Sequence, residues 1–167
     1  MVTAYVGFGA NLGDPVQQIL DARRQLSESL GYRDAVHSSL YLTSPIGYQD
    51  QSDFVNAVSA YGTDLSAYDF LDLLQQIENK LGRQRDLANQ NAPRLIDLDI
   101  LIFGEQAVNE DRLIIPHPRI EQRLFTLEPL SEIALNLSWK KNRTVTDILN
   151  EGYLDGRFDG QTIFKLT

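Results

Sequence analysis

Two carboxylates, Asp97 and Asp99, are set into the most apolar run of the chain, PRLIDLDILIF at 93–103. Side chains alternate along a strand, so both acids point the same way, about 7 Å apart at their Cα atoms. On that spacing Ile96, Leu98, Ile100 and Ile102 share the opposite face, while Leu95, Leu101 and Phe103 share the acids' face and cover them in part. A bare D-x-D is most often a solvated edge, but two half-covered like charges repel each other and lose hydration. A divalent cation between them removes that cost. With no cysteine and only two histidines, oxygen ligands favour Mg²⁺ over zinc, in the usual arrangement of two carboxylates completed by substrate phosphates.

The twelve residues before this strand, RQRDLANQNAPR at 83–94, carry Arg83, Arg85 and Arg94. A polar connection of this length in a compact domain reads as a binding loop, and guanidinium forks match phosphate oxygens. Downstream, Arg112, His117, Arg119 and Arg123 add cationic groups, and His117 is held between Pro116 and Pro118. Phe54 and Asn56 lie two apart on an expected strand, an aromatic and an amide facing one way, as a flat hydrogen-bonding heterocycle would need. The glycines at 7, 9 and 13 have the wrong spacing for a dinucleotide fingerprint, and there is no Walker A lysine. Nothing resembles a Ser-His-Asp or Cys-His set.

These residues need a frame. TAYVGF at 3–8 reads as a strand ending at glycines. Asp14 and Pro15 then open a helix whose apolar face (Val16, Ile19, Leu20, Leu26, Leu30) ends at Gly31. Strands are expected over 33–43 and 53–61, joined by the loop SPIGYQDQS. Ser66 with Asp69 caps a second helix that stops at Gly82, and the acidic strand follows. This order, βαββαβ, predicts an α+β, ferredoxin-like core with a mainly antiparallel sheet and helices on one face. C-terminal additions follow: a short strand after Phe103, helices over 125–134 and 144–150, and a final strand at 162–166.

The 167 residues, 43% of them hydrophobic, suit a single domain over 1–167. The start lacks a basic n-region and no run of about 18 apolar residues occurs, so neither a signal peptide nor a membrane span is expected. The absence of cysteine fits a cytoplasmic location. A net charge of −8 disfavours nucleic acid, although a local arginine cluster can still hold a small anion.

Four ordered segments, GFGANLGDP, SPIGYQDQSDFVNAV, PRLIDLDILIFG and RLIIPHPRIEQRLFTLEPLSEIA, together resemble the 6-hydroxymethyl-7,8-dihydropterin pyrophosphokinase (2-amino-4-hydroxy-6-hydroxymethyldihydropteridine diphosphokinase) family. The resemblance implies transfer of pyrophosphate from ATP to the pterin alcohol in folate biosynthesis, by a monomer that needs neither nucleic acid nor membrane. It implies that Asp97 and Asp99 hold two Mg²⁺ ions and act with Arg85 and Arg94 in catalysis. ATP contacts fall on Gln75, Arg85, Arg94, Ile100, Arg112, His117, Pro118 and Arg123. The pterin falls on Thr43, Ser44, Ile46, Phe54, Asn56, Asp97 and Phe125. Glu78 and Arg83 also match motif positions. The sequence departs from the family pattern at Ala10, where serine is usual, at Ala92, where glycine is common, and at Asn91, where many members have an aromatic. Other readings of D-x-D are a magnesium-dependent nucleotidyl or glycosyl transferase and a non-catalytic ferredoxin-like ligand-binding module. The second leaves the arginine loop unexplained.

Overall fold

The structure is a computed structural model that describes residues 1–31, 34–82 and 95–166. In chain order it runs β1 (Val2–Ala10), α1 (Pro15–Ser29), β2 (Val36–His37), β3 (Tyr41–Thr43), β4 (Phe54–Thr63), α2 (Ala67–Lys80) and β5 (Asp97–Phe103). Then come β6 (Val108–Glu110), β7 (Leu113–Ile115), a 3₁₀ turn (Ile120–Gln122), α3 (Leu124–Ala134), α4 (Val145–Leu154) and β8 (Ile163–Lys165). The main sheet has the order β5-β1-β4-β3-β8, with β2 also on β4, and the pairings among these strands are antiparallel. The βαββαβ core is therefore ferredoxin-like, as the element order predicts.

Local chemistry sets the helix starts. Asp14 accepts the Gln17 N–H at 3.0 Å ahead of Pro15, and Ser66 accepts the Asp69 N–H at 3.1 Å. Thr144 and Asp147 form a reciprocal capping box on α4. Two α-helices lie on each face. Ala4, Val6, Phe8 and Ala10 of β1 pack with Leu98 and Ile100 against α1 and α2, and a second cluster joins Val58, Leu101 and Ile102 to α3 and α4. The expectation of helices on one face holds for the βαββαβ core alone.

Two further expectations change. The 33–43 strand is interrupted because Ser38 Oγ, instead of a backbone carbonyl, accepts the Val58 N–H at 3.0 Å. The Ser38 carbonyl turns to the buried Arg23 guanidinium at 3.1 Å, leaving β2 and β3 as separate pieces on β4. On β5, the register against β1 slips between Tyr5 and Val6. This bulge moves Ile102 to the α3 side with Leu101 and returns Phe103 to the α1/α2 side, so strict alternation holds only through Leu101. The short strand expected after Phe103 is a hairpin, β6 with β7.

Candidate active site

The bulge lies beyond the acids, so Asp97 and Asp99 keep the facing that alternation requires. Asp97 pairs with Gly9 and Asp99 with Gly7 on β1, and Gly9 pairs on its other side with Asn56 of β4. Across three strands the row reads carboxylate, glycine, amide. A Cβ at Gly9 would stand 2.9 Å from Asn56 Oδ1, so the glycine leaves the sheet floor flat between the acid and the amide. Asn56 is only 6% exposed, and its Nδ2 donates to Thr43 Oγ1 at 2.6 Å, which fixes the plane of the amide. Phe54 pairs with Thr43, one step along the same face. Ser44 and the exposed Ile46 follow Thr43 where the chain leaves the sheet.

Cationic groups reach the acids from the chain after β7. The His117 N–H donates to the Leu101 carbonyl at 2.9 Å, which docks this segment on β5. His117 Nε2 then lies 4.0 Å from Asp99 Oδ2, and Arg123 Nη1 lies 3.9 Å from the same oxygen. Both separations are too long for hydrogen bonds, and only Arg123 is an ionic neighbour of Asp99 at neutral pH. The His117 ring accepts the Arg119 N–H at Nδ1 (3.1 Å), which assigns the ring proton to Nε2, toward Asp99. Burial, reinforced by Arg123 and Arg119, pushes the His117 pKa down to about 4, so the ring is neutral at pH 7. The Arg123 guanidinium also lies over the Phe125 ring, 5.4 Å from its centroid. One short segment thus presents a cation to Asp99 and an aromatic beside it.

Glu78 acts from beneath. It is 1% exposed on α2, and its carboxylate accepts the Leu98 N–H at 2.7 Å. β5 is the sheet edge, so this N–H faces away from β1; Glu78 satisfies it and pins the residue between the two acids.

Other expected positions lie elsewhere. Ile100 is buried on the α1/α2 side, so a ligand lying over the acids could meet only its backbone. Arg112, in the β6–β7 turn, is ion-paired with Asp72 of α2 and stacked on Tyr68 at 5.9 Å. Gln75, half-buried, is three residues on from Asp72 and so on the same side of α2. Together they form a separate polar group by α2. Pro118 is exposed beside His117. Arg83, Arg85 and Arg94 lie outside the described residues.

Sequence reading missed the role of Gly7 and Gly9. It ended the first strand at Phe8, whereas β1 continues to Ala10. The signal was available: two glycines at strand period clear one face. It also left Asn11 unassigned. Asn11 is 5% exposed and its Nδ2 donates to Gln51 Oε1 (2.9 Å) and to the Ser52 carbonyl (3.0 Å), tying the end of β1 to the loop before Phe54.

The oxygen donor set fits magnesium. Among the described residues no group of three or more His, Cys, Asp or Glu side chains converges as a metal cage. Two carboxylates alone suit an ion that keeps water and takes phosphate oxygens, and do not suit structural zinc.

The family model for 7,8-dihydro-6-hydroxymethylpterin-pyrophosphokinase (HPPK) matches residues 5–135. The chain belongs to the HPPK family. Its relatives include the 2-amino-4-hydroxy-6-hydroxymethyldihydropteridine pyrophosphokinases of Haemophilus influenzae and Pseudomonas aeruginosa. The first is 39% identical, covering 90% of this chain and 93% of the relative; the second is 43% identical, covering 87% and 88%. The fold is shared with the wild-type Plasmodium falciparum HPPK-DHPS crystallised with pteroate, at a TM-score of 0.70 and 15% identity over 95% of this chain. This chain covers 43% of that longer one. The HPPK match takes in β1 from Tyr5 onward, the loop before Phe54, the β5 acids and the His117–Phe125 segment.

Proposed function

We propose that the face bearing Asp97, Asp99, Gly9 and Asn56 is where this HPPK-family enzyme transfers pyrophosphate from ATP to 6-hydroxymethyl-7,8-dihydropterin in folate biosynthesis. The observation that carries the assignment is the row Asp97–Gly9–Asn56, closed at its acidic end by His117 and Arg123 around Asp99. The pterin ring lies on the floor cleared by Gly9. Its polar edge meets the Asn56 amide and Thr43, its faces meet Phe54 and Phe125, and Ser44 and Ile46 border it. The hydroxymethyl group then points toward Asp97.

The hydroxymethyl oxygen forms a bond to the β-phosphorus of ATP while the bond from that phosphorus to the αβ-bridging oxygen breaks. AMP leaves with the electron pair, and the hydroxyl proton passes to water. Asp97 and Asp99 would hold two Mg²⁺ ions, which when bound supply charge neutralisation to the phosphates and acidify the hydroxyl. Arg123 places a fixed positive charge beside Asp99. Neutral His117 offers its Nε2–H as a donor to a phosphate oxygen without needing a proton from solvent. Arg85 and Arg94 act as cationic groups toward ATP, Gln75 of α2 and Arg112 of the β6–β7 turn border the nucleotide, and the Ile100 backbone and Pro118 contact it. Positioning and electrostatics therefore supply the rate, with no dedicated base. The charge of −8 disfavours nucleic acid as a partner and the lack of cysteine fits a cytoplasmic location; the proposed enzyme is a single-domain monomer acting on small molecules.

Mass spectrometry of the products formed from ATP, Mg²⁺ and the pterin alcohol tests the reaction. AMP and a pterin diphosphate are expected; ADP with a pterin monophosphate, or an unchanged pterin, would refute it. Asp97→Ala and Asp99→Ala each test the site, with an expected loss of about 10³-fold or more in kcat/KM. Near-normal turnover at saturating Mg²⁺ would remove the acids from the mechanism.

A further inference from the structure

The family model ends at residue 135, yet the segment joining α4 to β8 touches both halves of the proposed site. Gln161 reaches the start of α3. Its Oε1 accepts the Leu124 N–H at 2.9 Å, and its Nε2 donates to the Gln122 carbonyl at 2.9 Å. These are the residues on either side of Arg123. The next residue, Thr162, exchanges hydrogen bonds with Ser44: Thr162 N–H donates to Ser44 Oγ at 3.1 Å, and Ser44 N–H donates to the Thr162 carbonyl at 3.2 Å. Beyond it, β8 pairs with β3 from Thr43 to Tyr41.

We infer that Gln161 and Thr162 form a tie between the two substrate half-sites, with Gln161 as the positioning residue for Arg123. The inference rests on the assignment of Arg123 to ATP and of Thr43 and Ser44 to the pterin. Helix α3 starts without a cap from its own N-cap side chain, since Arg123 makes no capping hydrogen bond. A helix start leaves N–H groups in need of partners, and Gln161 supplies one from 37 residues away. The Arg123 guanidinium is directed instead over Phe125 and toward Asp99. Bonding on both flanks fixes the backbone from which Arg123 projects. Arg157, whose carbonyl accepts from Gln161 Nε2 at 3.5 Å, also donates to the Glu121 carbonyl at 3.4 Å, so the turn grips the 121–124 segment at several points. The pterin side is held separately, by the Thr162 backbone and the β3–β8 ladder, which a change of the Gln161 side chain leaves in place.

The test is steady-state kinetics on the full chain, varying ATP and the pterin separately, at a temperature where circular dichroism shows every variant folded. Gln161→Ala is expected to raise KM for ATP about tenfold, the effect of losing one or two net hydrogen bonds, and to leave KM for the pterin within about threefold. Gln161→Glu keeps the acceptor for Leu124 N–H but loses the donor to Gln122, so its ATP KM is expected to fall between those of wild type and Gln161→Ala. If Gln161→Ala does not fold, Gln161→Met, which keeps the side-chain volume, takes its place with the same expectation. An ATP KM within about twofold of wild type, or an equal rise in both KM values, would overturn the tie. A wild-type chain that makes AMP and pterin diphosphate while the variant behaves this way refutes the tie alone. A wild-type chain that makes neither refutes the assigned reaction as well.

Discussion

Gly9→Ala tests whether the flat floor between Asp97 and Asn56 is what the pterin occupies. The new Cβ would stand 2.9 Å from Asn56 Oδ1, against about 3.4 Å for ordinary contact. The amide is planar and its other end is bonded to Thr43 at 2.6 Å, so Oδ1 cannot retreat by half an ångström without stretching that bond or spreading β1 from β4. Asn56 is buried, so an impaired hydrogen bond there costs about 1–3 kcal/mol. The lower chain entropy of alanine returns about 0.4–1 kcal/mol, leaving a net destabilisation on the order of 1–2 kcal/mol. Urea unfolding measures that part. The functional part is larger, because the displaced amide no longer meets the heterocycle: KM for the pterin should rise about ten- to a hundredfold, with KM for ATP within about twofold. Gly7→Ala is the stability control. Its Cβ would meet Leu101 Cδ2 at 3.4 Å, an ordinary contact, and should cost less than about 0.5 kcal/mol. An unchanged pterin KM in a folded Gly9→Ala protein would refute the placement of the pterin over this glycine.

Glu78→Ala leaves the Leu98 N–H unpaired in a buried site and should cost about 2–4 kcal/mol in urea unfolding. Glu78→Gln keeps an acceptor and should recover more than half of that, which an equal loss in both variants would contradict. His117 has its pKa lowered from 6.5 to about 4, so the unfolded chain binds the extra proton first as pH falls. Its stabilising contribution is therefore complete above pH 6.5 and is lost as pH falls from 6.5 to about 4, by at most about 3 kcal/mol. Metal-free protein should show this slope in urea unfolding and His117→Gln should flatten it; an NMR titration midpoint near 6.5 would remove the cause. Gly152→Ala puts a Cβ into the Phe158 ring and should destabilise the C-terminal packing by about 1–3 kcal/mol, read as a lowered melting midpoint. No change there would mean that α4 and the 156–162 turn are not packed as described.

The core of the fold was legible because its signals are local. Asp14-Pro15 and Ser66 with Asp69 mark helix starts, and apolar spacing marks the face of α2; on α1 it holds for Ile19 and Leu26, whereas Val16 and Leu20, expected on the same face, are exposed, and the buried side is completed by Ala22, Arg23 and Ser27. The break at Ser38 was not legible, because it depends on Val58, twenty residues away, donating its N–H to the Ser38 hydroxyl in place of a carbonyl. Nor was the slip at Tyr5/Val6, since a bulge leaves no mark in a run of branched aliphatic residues. At the site, the facing of Asp97 and Asp99 follows from strand period alone, whereas the approach of His117 and Arg123 to Asp99 needs the β6–β7 hairpin and the docking of His117 on Leu101.

The same distinction explains how a chain of net charge −8 can be read as handling a polyphosphate. Net charge is summed over the surface, and at physiological salt each charge is screened beyond about 8 Å. What an anion meets is set within that radius: beside Asp99 it is Arg123 and a histidine that burial keeps neutral, with Arg119 next to that histidine. Glu121, two residues before Arg123, is engaged by Lys140, Arg143 and Arg157, and against the opposing effect of burial its pKa is lowered by Lys140 and Arg143. Its charge is thereby compensated within the α3–α4 layer. The fold thus keeps Glu121 occupied, and the proposed metal role falls to Asp97 and Asp99.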